Sequence, residues 1–138
     1  RADLVACEIA PALAAGRVVL CDRFTDSTLA YQGGGRGIEL ARLESLNALA
    51  AGGIKPALTL LFDIDERAGR KRRSRAPGPS NRLDREPAQF HRSVRERFLQ
   101  IAREEPGRVV VLDATLDPAR LETQAWAAVE RCLEAAGI

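Results

Sequence analysis

The sequence has 138 residues, 46% of them apolar, and a net charge of +2. That is enough chain for one domain around one core, and no apolar run approaches the ~20 residues a membrane span needs. So small a net charge gives no bulk attraction for nucleic acid.

The basic charge is nearly all arginine, with Lys55 and Lys71 as the only lysines. Arginine offers a planar, permanently charged fork suited to phosphate, though a GC-rich genome gives the same bias. Cys7, Cys21 and Cys132 are odd in number and show no CxxC spacing. With His91 as the single histidine, no ordinary zinc site can be assembled. Free thiols in a cytoplasmic protein are the simplest reading.

In chain order, Leu4, Val5, Ile9, Ala12 and Leu13 form the apolar face of a first helix, and Gly16 fits its C-terminal stop. Arg17–Cys21 (RVVLC) follows as a continuous apolar run, the pattern of a strand covered on both faces. A helical turn is expected after Asp22, with Thr25 or Asp26 as possible caps. Leu40, Leu43, Leu46, Leu49 and Ala50 mark the next helix, ended by Gly52-Gly53. Leu58–Phe62 (LTLLF) is a second strand. Arg70–Arg85 (RKRRSRAPGPSNRLDR) is basic, holds Pro77-Gly78-Pro79 and reads as a surface excursion. Phe90, Val94, Phe98 and Ile101 mark a long helix closed near Pro106-Gly107. Arg108–Leu112 (RVVVL) is a third strand, and Leu121, Ala125, Val129 and Cys132-Leu133 mark a last helix.

Helix and strand alternate, which predicts an α/β fold with a parallel sheet and crossover helices. In such sheets ligands bind beyond the carboxyl ends of the strands. Each of the three strands runs into an aspartate there: Asp22, Asp63 and Asp113.

The densest chemistry is in Asp22–Gly37, DRFTDSTLAYQGGGRG. A carboxylate at a strand end can hold Mg²⁺, directly or through water. The arginine beside it can clamp a phosphate. Alone, an Asp-Arg pair is weak evidence. Ser27, Thr28, Tyr31 and Gln32 add hydroxyls, a ring and an amide that can share one helical face and read a base or sugar. The plainer reading is an ordinary helix N-terminus. Gly33-Gly34-Gly35-Arg36-Gly37 follows this helix and reads as a turn. No GxxxxGK[ST] phosphate loop occurs in the sequence.

The pattern strand–DR–F–x–x–S–T–x–A–Y–Q–G followed by G-x-R-G resembles the signature of bacterial-type thymidylate kinases. Ile54-Lys55-Pro56 with LTLLFDID, the arginine-rich stretch ending in RLDRE, and VVVLDAT resemble further segments of that family in the same order. The likeness extends from about Asp3 to the C-terminus. It departs at Phe24, where the family often has tyrosine or histidine. The resemblance implies a P-loop-kinase-like parallel sheet and transfer of the γ-phosphoryl group of ATP to dTMP. It assigns Asp22 to Mg²⁺ and its waters, and Arg23 to the dTMP phosphate. Ser27 and Thr28 fall where the family reads thymine, Gln32 at a base or sugar contact, and Tyr31 near the sugar. Residues 66–86 correspond to a lid, with Arg73, Arg75, Arg82 and Arg85 as candidates to close over the phosphates. Ala114 and Thr115 fall in the loop under the adenine.

The resemblance also implies a cytoplasmic homodimer with no membrane or nucleic-acid partner. Since the family's phosphate loop and its acidic-proline-glycine segment would lie upstream of Arg1, a single-domain chain (1–138) that is an inactive part of the enzyme is expected. The alternatives are a non-catalytic remnant that binds nucleotide or dimerises, and another nucleoside monophosphate kinase. A nucleic-acid contact through Arg70–Arg85 has against it the absence of interleaved aromatics. The family's strand order further predicts that Leu58–Phe62 pairs in parallel with Arg108–Leu112 and not with Arg17–Cys21.

Overall fold

The computed structural model describes residues 1–75, 78 and 82–138. The lid expected over 66–86 therefore includes residues, among them Pro77 and Pro79, that lie outside the described ones. Contacts gather the chain into two units, Arg1–Lys55 and Pro56–Ile138, and each is described by itself.

The first unit opens with a continuous helical stretch: α1 (Ala2–Leu4), a π-helical stretch Val5–Ile9, and α2 (Ala10–Ala14). The wider π turn lies just ahead of Pro11, whose ring would clash with a carbonyl four residues back in a regular helix. Ala10 N–H accordingly reaches back to the Val5 carbonyl. Gly16 takes φ 71°. Its N–H bonds to Leu13 O at 2.9 Å and that of Arg17 to Ala12 O at 3.0 Å, the paired closure of a Schellman motif. Val5 and Ile9 are buried as the periodicity predicts, while Leu4 and Leu13 are not.

Residues 17–21 form no strand. Their apolar pattern matches that of the true strands, but a strand exists only through a ladder partner, and none is present among the described residues. Leu20 is 88% exposed.

After Phe24 comes α3 (Thr25–Thr28), which continues as a π-helical stretch Leu29–Gly35. Neither Thr25 nor Asp26 caps it: the cap position is Phe24, with no side-chain bond. Gly33–Gly35 belong to this helical stretch and are not a turn. The reversal comes at Gly37, with φ 70°. A β-carbon at Gly33 would stand 2.5 Å from Leu40 Cδ2, so that glycine admits the next helix.

That helix, α4 (Leu40–Ala51), buries Leu43, Asn47 and Ala51. The expected leucine face is therefore displaced. Leu46 and Leu49 are exposed, and a polar residue takes the centre of the buried stripe.

In the second unit, β1 (Thr59–Asp63) and β2 (Val109–Asp113) pair in parallel, with Thr59 opposite Val109 and Asp63 opposite Asp113. This is the expected pairing, moved one residue so that each strand includes its terminal aspartate. Between them run α5 (Glu66–Arg75), a 3₁₀ turn Leu83–Arg85, and α6 (Ala88–Glu104). Helix α7 (Pro118–Ala136) follows β2. It starts with Pro118 in the first turn and with the Asp117 carboxylate accepting from Arg120 N–H. This is a helix start written in the sequence.

Helices α6 and α7 pack on β2, and α6 also touches β1. Phe90, Val94, Ile101, Val109 and Leu112 form the core. Coverage on both faces, expected for each strand, is incomplete: Phe62 and Val111 are exposed.

Arg108 closes the start of the sheet, donating twice to Glu105 and at 2.8 Å to Thr59 Oγ1. No helix among the described residues is long and apolar enough to cross a membrane.

Candidate active site

Asp22 and Arg23 sit in the bend between residues 17–21 and α3, and both are exposed. Arg23 is the one non-glycine residue with positive φ, at 65°, among the described residues. A residue with a β-carbon held in the left-handed region costs about 1 kcal/mol or more. The Arg23 side chain lies over the π-helical stretch that continues α3. Its guanidinium lies 4.8 Å from the centre of the Tyr31 ring and donates at 3.1 Å to the Tyr31 hydroxyl. The charge is parked on an aromatic face, yet remains exposed enough to meet an anion.

Thr28, one helical turn away, is engaged from another direction. Arg1 Nη2 donates to Thr28 Oγ1 at 2.6 Å and to Phe24 O at 3.3 Å, and Arg1 Nη1 donates to Asn47 Oδ1 at 2.8 Å. The guanidinium carbon stands 5.7 Å from the centre of the Phe24 ring. The polarity follows from chemistry. Arginine has donors only. A Thr28 oxygen that accepts from it has its own proton left to donate. The pair therefore suits a ligand edge that presents an acceptor, such as a keto oxygen. A ring amine would meet the Arg1 donors and have only the remaining lone pair of Thr28 to donate to.

The first unit thus brings Arg23 to Tyr31 and adds Arg1 beside Thr28, with Asn47 bonded to Arg1 and to Thr25. Sequence reading passed over both additions. Arg1 lies in no motif, and Asn47 stands in a row of leucines. The only available signal was a polar residue where an apolar stripe should run. Ser27 is half-buried in α3, and Gln32 is exposed in the π-helical stretch.

The arginines expected in a lid lie in the second unit. Arg73 makes an ion pair with Asp84 at 2.9 Å, joining α5 to the 3₁₀ turn. Arg75, Arg82 and Arg85 are exposed. Glu66, at the start of α5, faces Arg70 at 3.3 Å and Arg92 of α6 at 3.6 Å. At the end of β1, Asp63 receives both arms of Arg95, at 2.7 and 2.8 Å. This bond is the main reason the Arg95 pKa is raised.

At the end of β2, Thr115 donates to Asp113 Oδ1 through its hydroxyl at 2.7 Å and its N–H at 2.8 Å. Those two donors, the hydroxyl first, hold the Asp113 carboxyl below its ordinary pKa. The Ala114–Thr115 turn is therefore fixed by the aspartate that precedes it.

A thymidylate kinase family model matches residues 1–125. The chain is 48% identical over 130 residues to a thymidylate kinase of Synechococcus sp., covering 94% of this chain and 61% of that protein. It is likewise 48% identical over 129 residues to one from Deinococcus radiodurans, covering 94% and 62%. Among solved structures, a thymidylate kinase from Ehrlichia chaffeensis superposes with a TM-score of 0.61 at 31% identity, over 80% of this chain and 51% of that one. The chain spans about three fifths of the length of the curated relatives it matches. With the parallel pairing of β1 and β2 and the Asp22–Gly37 signature, these matches agree over nearly the whole sequence: the chain belongs to the thymidylate kinase family.

Proposed function

We propose that this stretch of chain supplies the dTMP-recognition surface, the lid arginines and the adenine-side turn of a thymidylate kinase. At full length, such an enzyme transfers the γ-phosphoryl group of ATP to dTMP, giving dTDP for dTTP biosynthesis. The observation that carries this is one helical stretch presenting two different readers. Arg23 over Tyr31 offers a fork to the nucleotide phosphate, and Thr28 beside Arg1 offers donors to a keto base.

Phosphoryl transfer asks little covalent work of the protein and depends on position and charge. Arg23 would fix the acceptor phosphate, and Tyr31 would bound the sugar. Ser27, Thr28 and Gln32 would orient the base. Arg73, Arg75, Arg82 and Arg85 would supply positive charge around the transferred group. Thr115 and Ala114 would border the adenine. Asp22, an exposed carboxylate, suits Mg²⁺ held through its water shell, since that ion gives up its waters reluctantly. When bound, Mg²⁺ neutralises phosphate charge. A homodimer in the cytoplasm is part of the same proposal.

The sequence holds no GxxxxGK[ST], so the 138-residue polypeptide is expected to bind dTMP without turning it over. Titration calorimetry with dTMP, dCMP and thymidine tests the reading. Binding in the order dTMP over both others is expected. No dTMP binding at millimolar concentration, or equal affinity for all three, refutes it. Turnover by this polypeptide near the ~1–100 s⁻¹ of ordinary kinases would refute the part assigned to the phosphate loop. A non-catalytic nucleotide-binding role is the second reading. It would gain if the full-length protein bound dTMP without forming dTDP.

A further inference from the structure

Asn47 lies in the middle of α4, on the buried stripe it shares with Leu43 and Ala51, and is 6% exposed. Burying a carboxamide costs free energy unless both its ends are bonded. Asn47 meets this requirement with two groups distant in sequence. Its Oδ1 accepts from Arg1 Nη1 at 2.8 Å, and its Nδ2 donates to Thr25 O at 3.1 Å. The orientation of the amide is unambiguous, because arginine can only donate and a carbonyl can only accept.

One side chain on α4 therefore joins the first residue of α3 to the guanidinium that engages Thr28. Arg1 Nη2 also meets Thr28 and Phe24, but those contacts share one nitrogen. The bond from Nη1 to Asn47 adds a hold through a second nitrogen. A leucine at position 47 would continue the leucine pattern of the helix and fill the stripe, yet it would remove the acceptor for Arg1 Nη1 and leave the Thr25 carbonyl with the Leu29 N–H alone.

We propose that Asn47 is a positioning residue that fixes the Arg1 guanidinium against the Thr28 hydroxyl, and thereby decides which base edge the site accepts. The effect on base choice rests on the dTMP reading above; the effect on Arg1 itself does not.

The test uses the full 138-residue chain with ¹⁵N-labelled arginine, and two substitutions that separate the arms. Asn47→Leu removes both bonds. Asn47→Asp keeps an acceptor for Arg1 and loses the donor to Thr25. Guanidinium NMR reports restricted rotation of Arg1, with Arg95, locked on Asp63, as internal reference. Asn47→Leu should release Arg1 and leave Arg95 restrained, whereas Asn47→Asp should keep both restrained. In parallel, Asn47→Leu should weaken dTMP binding about tenfold, the loss of one charge-assisted bond, and compress the dTMP-to-dCMP preference, which Asn47→Asp should retain.

An Arg1 that stays restrained in Asn47→Leu overturns the proposal. So does an Asn47→Asp variant as loose as Asn47→Leu, because the carboxamide would then serve only to tie α4 to Thr25. If Arg1 is released as expected but the unsubstituted chain does not bind dTMP, the positioning role stands and the nucleotide reading falls. Should Asn47→Leu fail to fold, Asn47→Ser against Asn47→Asp makes the same comparison.

Discussion

The Arg23 guanidinium stacks 4.8 Å from the centre of the Tyr31 ring while the Arg23 backbone holds φ 65°. The proposed role of Arg23 as the fork for the acceptor phosphate makes this arrangement testable. Arg23→Ala should weaken dTMP binding about 100-fold, as expected for losing a forked contact to phosphate. It should leave thymidine binding nearly unchanged. Arg23→Gly should lose the same affinity yet be about 1 kcal/mol more stable than Arg23→Ala, since glycine takes positive φ without a clash. Calorimetry with the two ligands and urea unfolding check both halves. Equal loss for dTMP and thymidine would remove the phosphate assignment.

Thr28 carries the base-side prediction. Thr28→Ala deletes the hydroxyl that accepts from Arg1 and that has its proton free to donate. Selection between dTMP and dCMP should fall by about tenfold, the scale of one polar discrimination, with little change in the unfolding midpoint of this half-buried position. An unchanged ratio would mean the base is read elsewhere.

Asp63 and Arg95 form a bidentate pair linking the end of β1 to α6. Both side chains are partly exposed, at 21% and 40%, so salt screens the attraction. Asp63→Asn should destabilise the chain by about 1 kcal/mol, less in high salt. Urea unfolding at two ionic strengths measures it. A loss that does not shrink with salt would show that packing, not charge, joins the helix to the strand.

Asp113 gives a pH prediction with a definite sign. Its folded pKa is depressed by the Thr115 hydroxyl and N–H. The stabilisation is therefore fully present above the unfolded carboxyl value of about 3.9. It disappears as pH falls through the lower folded value. Thr115→Val removes the hydroxyl and should move the Asp113 titration up toward the ordinary carboxyl range. A carboxyl-carbon NMR titration of both forms decides it. Coincident curves would leave the backbone N–H as the only effective donor.

The runs LTLLF and RVVVL were legible in the sequence as strands separated by a helical pattern whose buried face, Phe90, Val94 and Ile101, appears as expected, whereas their parallel pairing was implied by the family's strand order. The run at residues 17–21 has the same composition and forms no strand. Local pattern records suitability for a sheet, whereas membership needs a neighbouring backbone. The leucine row of α4 misled for a related reason. Burial depends on which side faces the rest of its unit, and that side carries Asn47. Asp22, Arg23, Thr28 and Tyr31 could be named from their spacing, since their chemistry lies within ten residues of one another. Arg1 and Asn47 could not, because they are 46 residues apart. Only the packing of α1 and α3 against α4 links an arginine outside any motif and an asparagine among leucines to Thr28 and Thr25.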